Sequence, residues 1–508
     1  GALLLEPEDG ILTEADRTAA AASREPRLEK KSSSTSSLIR NFANLLALDS
    51  TDQTAAAQKM DPEAEAKITR CVEGCRIDEI FVDSKFLEAE SLTQLVEALV
   101  WASGRPEGAK RASGAVAADD EDTALFCLEQ IVSIALRNRD RMALLWPLVS
   151  QHYADIIQQA KRPGMLVERA VISLVRICRR LLKYKEEESE SLLESLSLVF
   201  KLDPAVADDL LEAIMVEMLE LLKCSAQHIR TLQGWQIVCK LLMVVAVHPA
   251  AAPTGLEALT LIMGEPSGLC LANVECCSHT ALKFVQSQVG REWQASSKAV
   301  DLLAGTHTHL ASWAVELRGR PEMDHAVAVW THLVETMTRL CLEPRAEVRS
   351  HAVVALQRIL LAADPFEFAA TYWFLRFEKG LLPLLADLTK AAQGRSSEMP
   401  EAERTLRMAV GLLSKTFLHH LPKLHPLPEF GGLWMSMLAQ LEQSMKAARS
   451  EELQESIPEA LKNILLVMAT QGLLTPGARG DLWEQTWKSA SNISPSLSPD
   501  ALLAGRAE

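Results

Sequence analysis

Proline falls at a near-regular interval in this chain. Pro163, Pro204 and Pro249 stand 41 and 45 residues apart, and Pro321 and Pro365 stand 44 apart. A proline ring lacks the N–H that an interior helical residue donates, and it collides with the preceding turn, so these residues mark helix boundaries. A boundary every ~40–47 residues is the period of a two-helix unit of HEAT or armadillo type. The interval is ragged elsewhere. Between boundaries, apolar residues recur at i, i+3, i+4 and i+7, one face of a helix. No convincing stretch alternates with period two. The chain reads as all-α: a HEAT/armadillo-like α-solenoid of stacked helix pairs behind a disordered N-terminal segment.

One segment carries the repeat most sharply. PRAEVRSHAVVALQRIL (344–360) places Val348, Arg349, Ala352, Ala355, Leu356 and Ile359 in the pattern of a second HEAT helix. Small alanines let a neighbouring helix approach closely, and the larger residues fill the seam between layers. In FVDSKFLEAESLTQLVEALVWASGRP (81–106), Ser91 and Gln94 have capping-box spacing. Leu92, Leu95, Val96, Leu99 and Val100 then share a face, and Gly104 and Pro106 stop the helix. That helix is expected to pack rather than to do chemistry. Residues 107–122, ending in DDED, are expected to form an acidic loop, with a helix opening at Asp122-Thr123 and burying Leu125, Leu128, Val132, Ala135 and Leu136.

The expected organisation is a Ser-containing linker over 1–65 with a short amphipathic helix at 36–49, helical-repeat regions over 66–250 and 251–490, and a disordered tail over 491–508. Within 36–49, Leu38, Phe42, Leu45 and Leu46 lie on one side. The chain begins without Met and without the basic and long apolar segments of a signal peptide, and so reads as a piece of a longer protein. Lys240 and His248 interrupt the most apolar stretch, 234–253, well short of the roughly 20 residues a membrane span needs.

Fifty-two Lys and Arg against 67 Asp and Glu leave a net charge of −15. That opposes general nucleic-acid binding, which needs a basic footprint. It leaves room for a local basic patch at a membrane. The RNRDR turn, with Arg137, Arg139 and Arg141, is the best such candidate. Its plainer reading is Asp140 capping the next helix.

Motifs of catalysis are missing. No G-x-x-x-x-G-K-[ST], G-x-G-x-x-G or G-x-S-x-G is present. Cys276-Cys277 with His279, and His307 and His309 thirty residues on, lack the paired spacings of a four-ligand zinc site. Ten cysteines, mostly on apolar faces, are expected as free buried thiols in a reducing compartment. His419, His420 and His425, among prolines, are expected in a loop. No catalytic residue, metal or cofactor is expected.

Several blocks in order resemble a known group. CRIDEIFVDSKFLEAESLTQLVEALVWASGRP (75–106), EDTALFCLEQIVSIALRNRDRMALLW (121–146), LVERAVISLVRICRRLLKYKE (166–186), HIRTLQGWQIVCKLL (228–242), VRSHAVVALQRIL (348–360), LLSKTFLHHL (412–421), LQESIPEALKNILLVM (453–468) and DLWEQTWKSASNISPSL (481–497) are similar to the region downstream of the catalytic domain in plant-type large ARF guanine-nucleotide exchange factors, the GNOM/GBF group. The resemblance spans about 36–497. It implies a parent that activates ARF-type small GTPases at Golgi and endosomal membranes through an upstream exchange domain with no counterpart here. The chain itself is then expected to be no enzyme but a regulatory and targeting region. Its implied partners are the ARF-type GTPase, the exchange domain and the membrane surface, with a second copy of the chain left open. It would lie in the cytoplasm, peripherally on Golgi and endosomal membranes. Phe42, Leu46, Arg137, Arg139 and Arg141 are the candidate contacts, chosen on composition. The competing expectation is a free-standing helical-repeat scaffold or transport adaptor.

Overall fold

Several helices begin at or just after a proline. A computed structural model describes residues 77–103, 116–184, 186–264, 268–287, 293–362, 364–394, 399–476 and 481–499, with Lys67, Arg70, Cys71 and Gly74. Pro204 is the first residue of its helix, and the Asp203 carboxylate accepts from the Ala205 N–H at 3.2 Å. This is the favoured use of proline, because the missing N–H is one the helix start leaves unpaired anyway. Pro321 holds an N-cap position, and Pro163 lies just before another helix. The expected helix at 36–49 lies outside the described residues.

The chain forms two compact units, residues 1–138 and 139–508. The described part of the first contains α1 (Ile77–Val82), a 3₁₀ turn (Asp83–Phe86), α2 (Ala89–Ser103) and α3 (Val116–Arg137). α3 packs on both α1 and α2. α2 buries Leu92, Val96 and Leu99, as its periodicity requires, with Leu95 and Val100 half-buried. Three expectations are corrected here. α2 starts at Ala89, two residues before Ser91, so Ser91 lies inside the first turn and is no N-cap. α3 starts at Val116, so the DDED run is helical and not a loop. The buried face of α3 is Ala124, Cys127, Leu128, Ile131, Ile134 and Ala135, with Leu125, Val132 and Leu136 only half-buried. α3 is apolar over more than one face, and its two packing partners select which is covered.

The second unit is a two-layer stack. One layer runs α5 (Met165–Leu181), α7 (Pro204–Ser225), α9 (Ala252–Met263), α11 (Trp293–Glu316), α13 (Ala346–Leu361), α16 (Met399–Leu424) and α18 (Glu451–Thr470), each packed on the next. The other contains α6 (Glu186–Ser195), α8 (Leu232–Val245), α10 (Val274–Gln286), α12 (Glu322–Leu340), α14 (Ala370–Arg376), α15 (Leu382–Gln393), α17 (Phe430–Ala447) and α19 (Leu482–Ile493). α4 (Met142–Gln159) packs on α5 at the start of the unit. A π turn, Phe377–Leu381, joins α14 to α15. Among the described residues the secondary structure is helical throughout, and the fold is a helical solenoid. No described helix is long and apolar enough to cross a membrane.

The repeat is visible in hydrogen bonds as well. Arg176 donates to Glu217, Thr280 to the Cys239 carbonyl, Ser287 to the Ala246 carbonyl and Arg376 to Glu335, and Thr331 pairs with Tyr372. Every one of these pairs is separated by 41 residues. A bond at constant separation links equivalent positions of successive repeats.

α13 is the second helix of its pair and packs on α12, α11 and α16. Val348, Ala352, Ala355, Leu356 and Ile359 are all buried, at 0 to 3% exposure. Ala352 and Ala355 allow the close approach of α11 and α16 that a larger side chain would prevent. Arg349 ties the layer together, donating to the Glu343 carbonyl at 2.7 Å, the Pro344 carbonyl at 2.9 Å and Thr405 Oγ1 of α16 at 3.2 Å.

Candidate functional site

The basic turn of the sequence falls where the two units meet in the chain. Arg137 is the last residue of α3, and its Nε donates to Ser133 Oγ at 3.4 Å. Arg139 and Arg141 belong to a 3₁₀ turn opening the second unit. The Arg139 guanidinium lies over the Tyr184 ring, 4.3 Å from its centroid. That cation–π contact leaves the charge half-exposed while holding it in place. The N-cap position of α4 falls on Arg141, one residue after Asp140, and the Arg141 side chain makes no capping bond. Phe42 and Leu46 lie outside the described residues. In the first unit, Phe86 and Trp101 are 75% and 73% exposed, so the helix read as purely packing also carries an outward aromatic.

A thiol cluster stands between α8 and α10. Cys239 sits on α8, and Cys276 and Cys277 occupy the first turn of α10. The Cys239 Sγ lies 3.2 Å from that of Cys276 and 3.8 Å from that of Cys277, and all three sulfurs fall within 4.8 Å of one another. Cys239 and Cys277 are buried; Cys276 is half-exposed. Asn273 fixes the start of α10: its Oδ1 accepts from the Cys270 N–H at 2.8 Å and its Nδ2 donates to the Gly268 carbonyl at 3.0 Å. Hydrogen bonds from Cys239 and Cys277 favour the Cys276 thiolate, and the same bonds together with burial keep the other two protonated. A helix N-terminus adds to the preference for a thiolate there. Sequence spacing could not show this cluster, because Cys239 comes from the preceding repeat. His279, close to the cysteines in sequence, is not among the groups that converge there.

His279 instead lines a cleft of ≈ 240 Å³ between α10, α11 and α12, with Glu275, His325, His332 and Thr336. The His279 and His332 rings meet edge to face, 5.4 Å apart. His307 and His309 go elsewhere: His307 bonds the Ala304 carbonyl at 2.6 Å, and His309 lies beside Trp313. The expected loop placement of His419 and His420 is also corrected. Both lie in α16, and His420 is 2% exposed, stacked on Trp373 at 3.6 Å and hydrogen-bonded to the Leu360 carbonyl at 3.1 Å. Burial lowers its pKa to about 4, so the ring is neutral at pH 7 and Nε2 is the donor.

Residues 330–497, from within α12 to just past α19, match the family described as the GBF1-like, tetratrico peptide repeat region. The chain is 40% identical to the ARF guanine-nucleotide exchange factor GNOM of Arabidopsis thaliana over 477 residues, 91% of this chain and 32% of that protein. It is 38% identical to the exchange factor GNL1 of the same plant, with the same coverage. It is 22% identical to the Golgi-specific brefeldin A-resistance guanine nucleotide exchange factor 1 homolog of Caenorhabditis elegans, over 85% of this chain. The chain is homologous to a region of the GNOM-type ARF exchange factors.

It spans about a third of the length of these relatives. The GNOM-like stack joins its repeats by different side chains in different places. The thiol cluster precedes the matched repeat region, whereas the Asp364–Lys423 pair lies inside it.

Proposed function

We propose that this chain is a non-catalytic regulatory and membrane-targeting region of a large ARF guanine-nucleotide exchange factor, working in Golgi and endosomal vesicle traffic. The observation that carries the reading is 40% identity to GNOM sustained over 91% of the chain. A two-layer stack supports it physically, because successive repeats offer one long surface on which protein partners can lie. The exchange reaction belongs to another domain of such a protein, and this chain supplies no catalytic residue to it.

Its partners in this reading are the ARF-type GTPase, the exchange domain of the same polypeptide and the surface of Golgi and endosomal membranes, which it touches peripherally from the cytoplasm. A net charge of −15 makes bulk attraction to anionic lipid unfavourable. Contact with the membrane must then be local, through Arg137, Arg139 and Arg141 and through Phe42 and Leu46. Flotation with anionic liposomes, with and without GTP-loaded ARF and over a salt series, tests this. Binding is expected and should weaken as salt rises. Reversing the three arginines to Glu, or replacing Phe42 and Leu46 with Asp, should abolish it. Flotation unchanged by both sets would remove these residues from the assignment. No flotation under any condition would remove membrane targeting from it.

A further inference from the structure

We propose that Cys239, Cys276 and Cys277 form a binding site for one thiophilic metal ion, with monovalent copper the best match. Three sulfurs from two helices converge with separations of 3.2 and 3.8 Å and none beyond 4.8 Å. Thiolates that share one ion at a metal–sulfur distance of ~2.3 Å lie roughly 3.8–4 Å apart. The Cys239–Cys277 separation of 3.8 Å already matches that triangle, and the Cys239–Cys276 separation of 3.2 Å has to open by roughly 0.6–0.8 Å to complete it. A disulfide would need sulfurs at ~2.05 Å.

The donor set selects the metal. Three soft sulfurs favour copper(I), which three-sulfur coordination satisfies. Structural zinc takes four ligands. The Asn273 carbonyl oxygen lies 3.1 Å from Cys276 Sγ, and that is a hard donor. Zinc would therefore bind with an open position and more weakly. The surroundings are pre-built: Thr280 bonds to the carbonyls of both Cys276 and Cys239, holding the two helices in register. Cys276 is half-exposed and gives the ion a way in, while Cys239 and Cys277 close the inner side. On binding, metal–sulfur bonds replace S–H bonds and the released protons pass to solvent; no electron is transferred. Because the ligands come from successive repeats, the ion would clamp α8 to α10.

The test uses the full chain, reduced and freed of metal. Titration with copper(I) held by a coloured chelator should transfer one equivalent to the protein, with a new near-ultraviolet thiolate-to-copper absorption. Cadmium(II) should also bind, and zinc(II) at least tenfold more weakly. Cys276→Ser, at the half-exposed position, should abolish the one-equivalent transfer while leaving the circular dichroism spectrum unchanged. Cys239→Ser and Cys277→Ser should do the same where they fold. Cys178→Ser and Cys224→Ser, a buried and an exposed thiol outside the cluster, should leave it intact. As a second readout, copper should protect Cys276 from iodoacetamide while Cys224 goes on reacting. Failure to transfer copper, loss of transfer in Cys178→Ser to the same degree, or alkylation of Cys276 unaffected by copper would each overturn the proposal.

Discussion

Two joints of the same stack use opposite chemistry. Between α8 and α10 the side chains are small and soft: three thiols and the Thr280 hydroxyl. Around α13, α14 and α16 the joint is charged and aromatic. The Asp364 carboxylate accepts from the Phe368 N–H at 3.0 Å, Trp373 Nε1 at 3.3 Å and Lys423 Nζ at 2.7 Å. Phe368 and Tyr372 stack at 3.9 Å, and Trp373 stacks on His420. Arg345 donates to Glu343 at 2.7 Å, Ser296 at 2.9 Å, Ser287 and the Val285 carbonyl, joining α13 back to α10 and α11. The helix arrangement repeats regardless. Apolar burial sets the spacing of the layers, and the polar groups at each joint determine how it responds to a single change.

That contrast gives a ranked set of measurements, each read from urea unfolding followed by circular dichroism. The apolar seam of the stack should give the largest effect. Leu356→Ala in α13, fully buried, should cost about 3 kcal/mol through lost burial and the cavity left behind. A cost below ~1 kcal/mol would mean that the apolar seam does not hold the layers. Asp364→Ala should come next at ~2–3 kcal/mol, because it strands the indole N–H and a partly buried ammonium; Asp364→Asn should recover part of the loss. If the two variants are alike, the carboxylate charge is what matters.

The third measurement is of pH. His420 has its folded pKa lowered to about 4 from an ordinary value of 6.5. Between those values the unfolded chain binds the proton that the folded chain refuses, so stability is full above 6.5 and falls as pH drops toward 4. The loss should reach roughly 2 kcal/mol by pH 5, and His420→Gln should remove that part of the slope. An unchanged slope would show that the ring is not held neutral. The smallest effect belongs to the thiol joint. Cys276→Ser, half-exposed, should change stability by less than ~1 kcal/mol in metal-free protein. A larger loss would show that the thiols hold the joint as firmly as the ions hold the other.

Much of the repeat was legible in the chain. Proline spacing near 41–45 residues reappears as hydrogen bonds at a constant 41. The small and large residues of 344–360 lie buried in α13 as their pattern required. Errors arose where local rules compete. Ser91 sits inside α2 because Ala89 and Glu90 are themselves acceptable helix residues, and the chain starts the helix as early as its neighbours allow. His420 was misplaced because nearby prolines suggest a loop, yet Pro422 lies in the last turns of α16, where tertiary packing outweighs one lost bond. The thiol cluster was illegible for another reason: Cys239 and Cys276 are 37 residues apart, and nothing in a single repeat reveals what the next one brings.

The sequence by itself determined that this chain is helical, that it repeats and where most repeats begin. Those properties follow from proline stereochemistry and from apolar periodicity, both local. Tertiary structure decided which face of α3 is covered, that His279 lines a cleft, and that three thiols meet between α8 and α10. Those outcomes depend on the register of one repeat against the next. Register is set by the summed burial of many side chains, so no short stretch of sequence contains it.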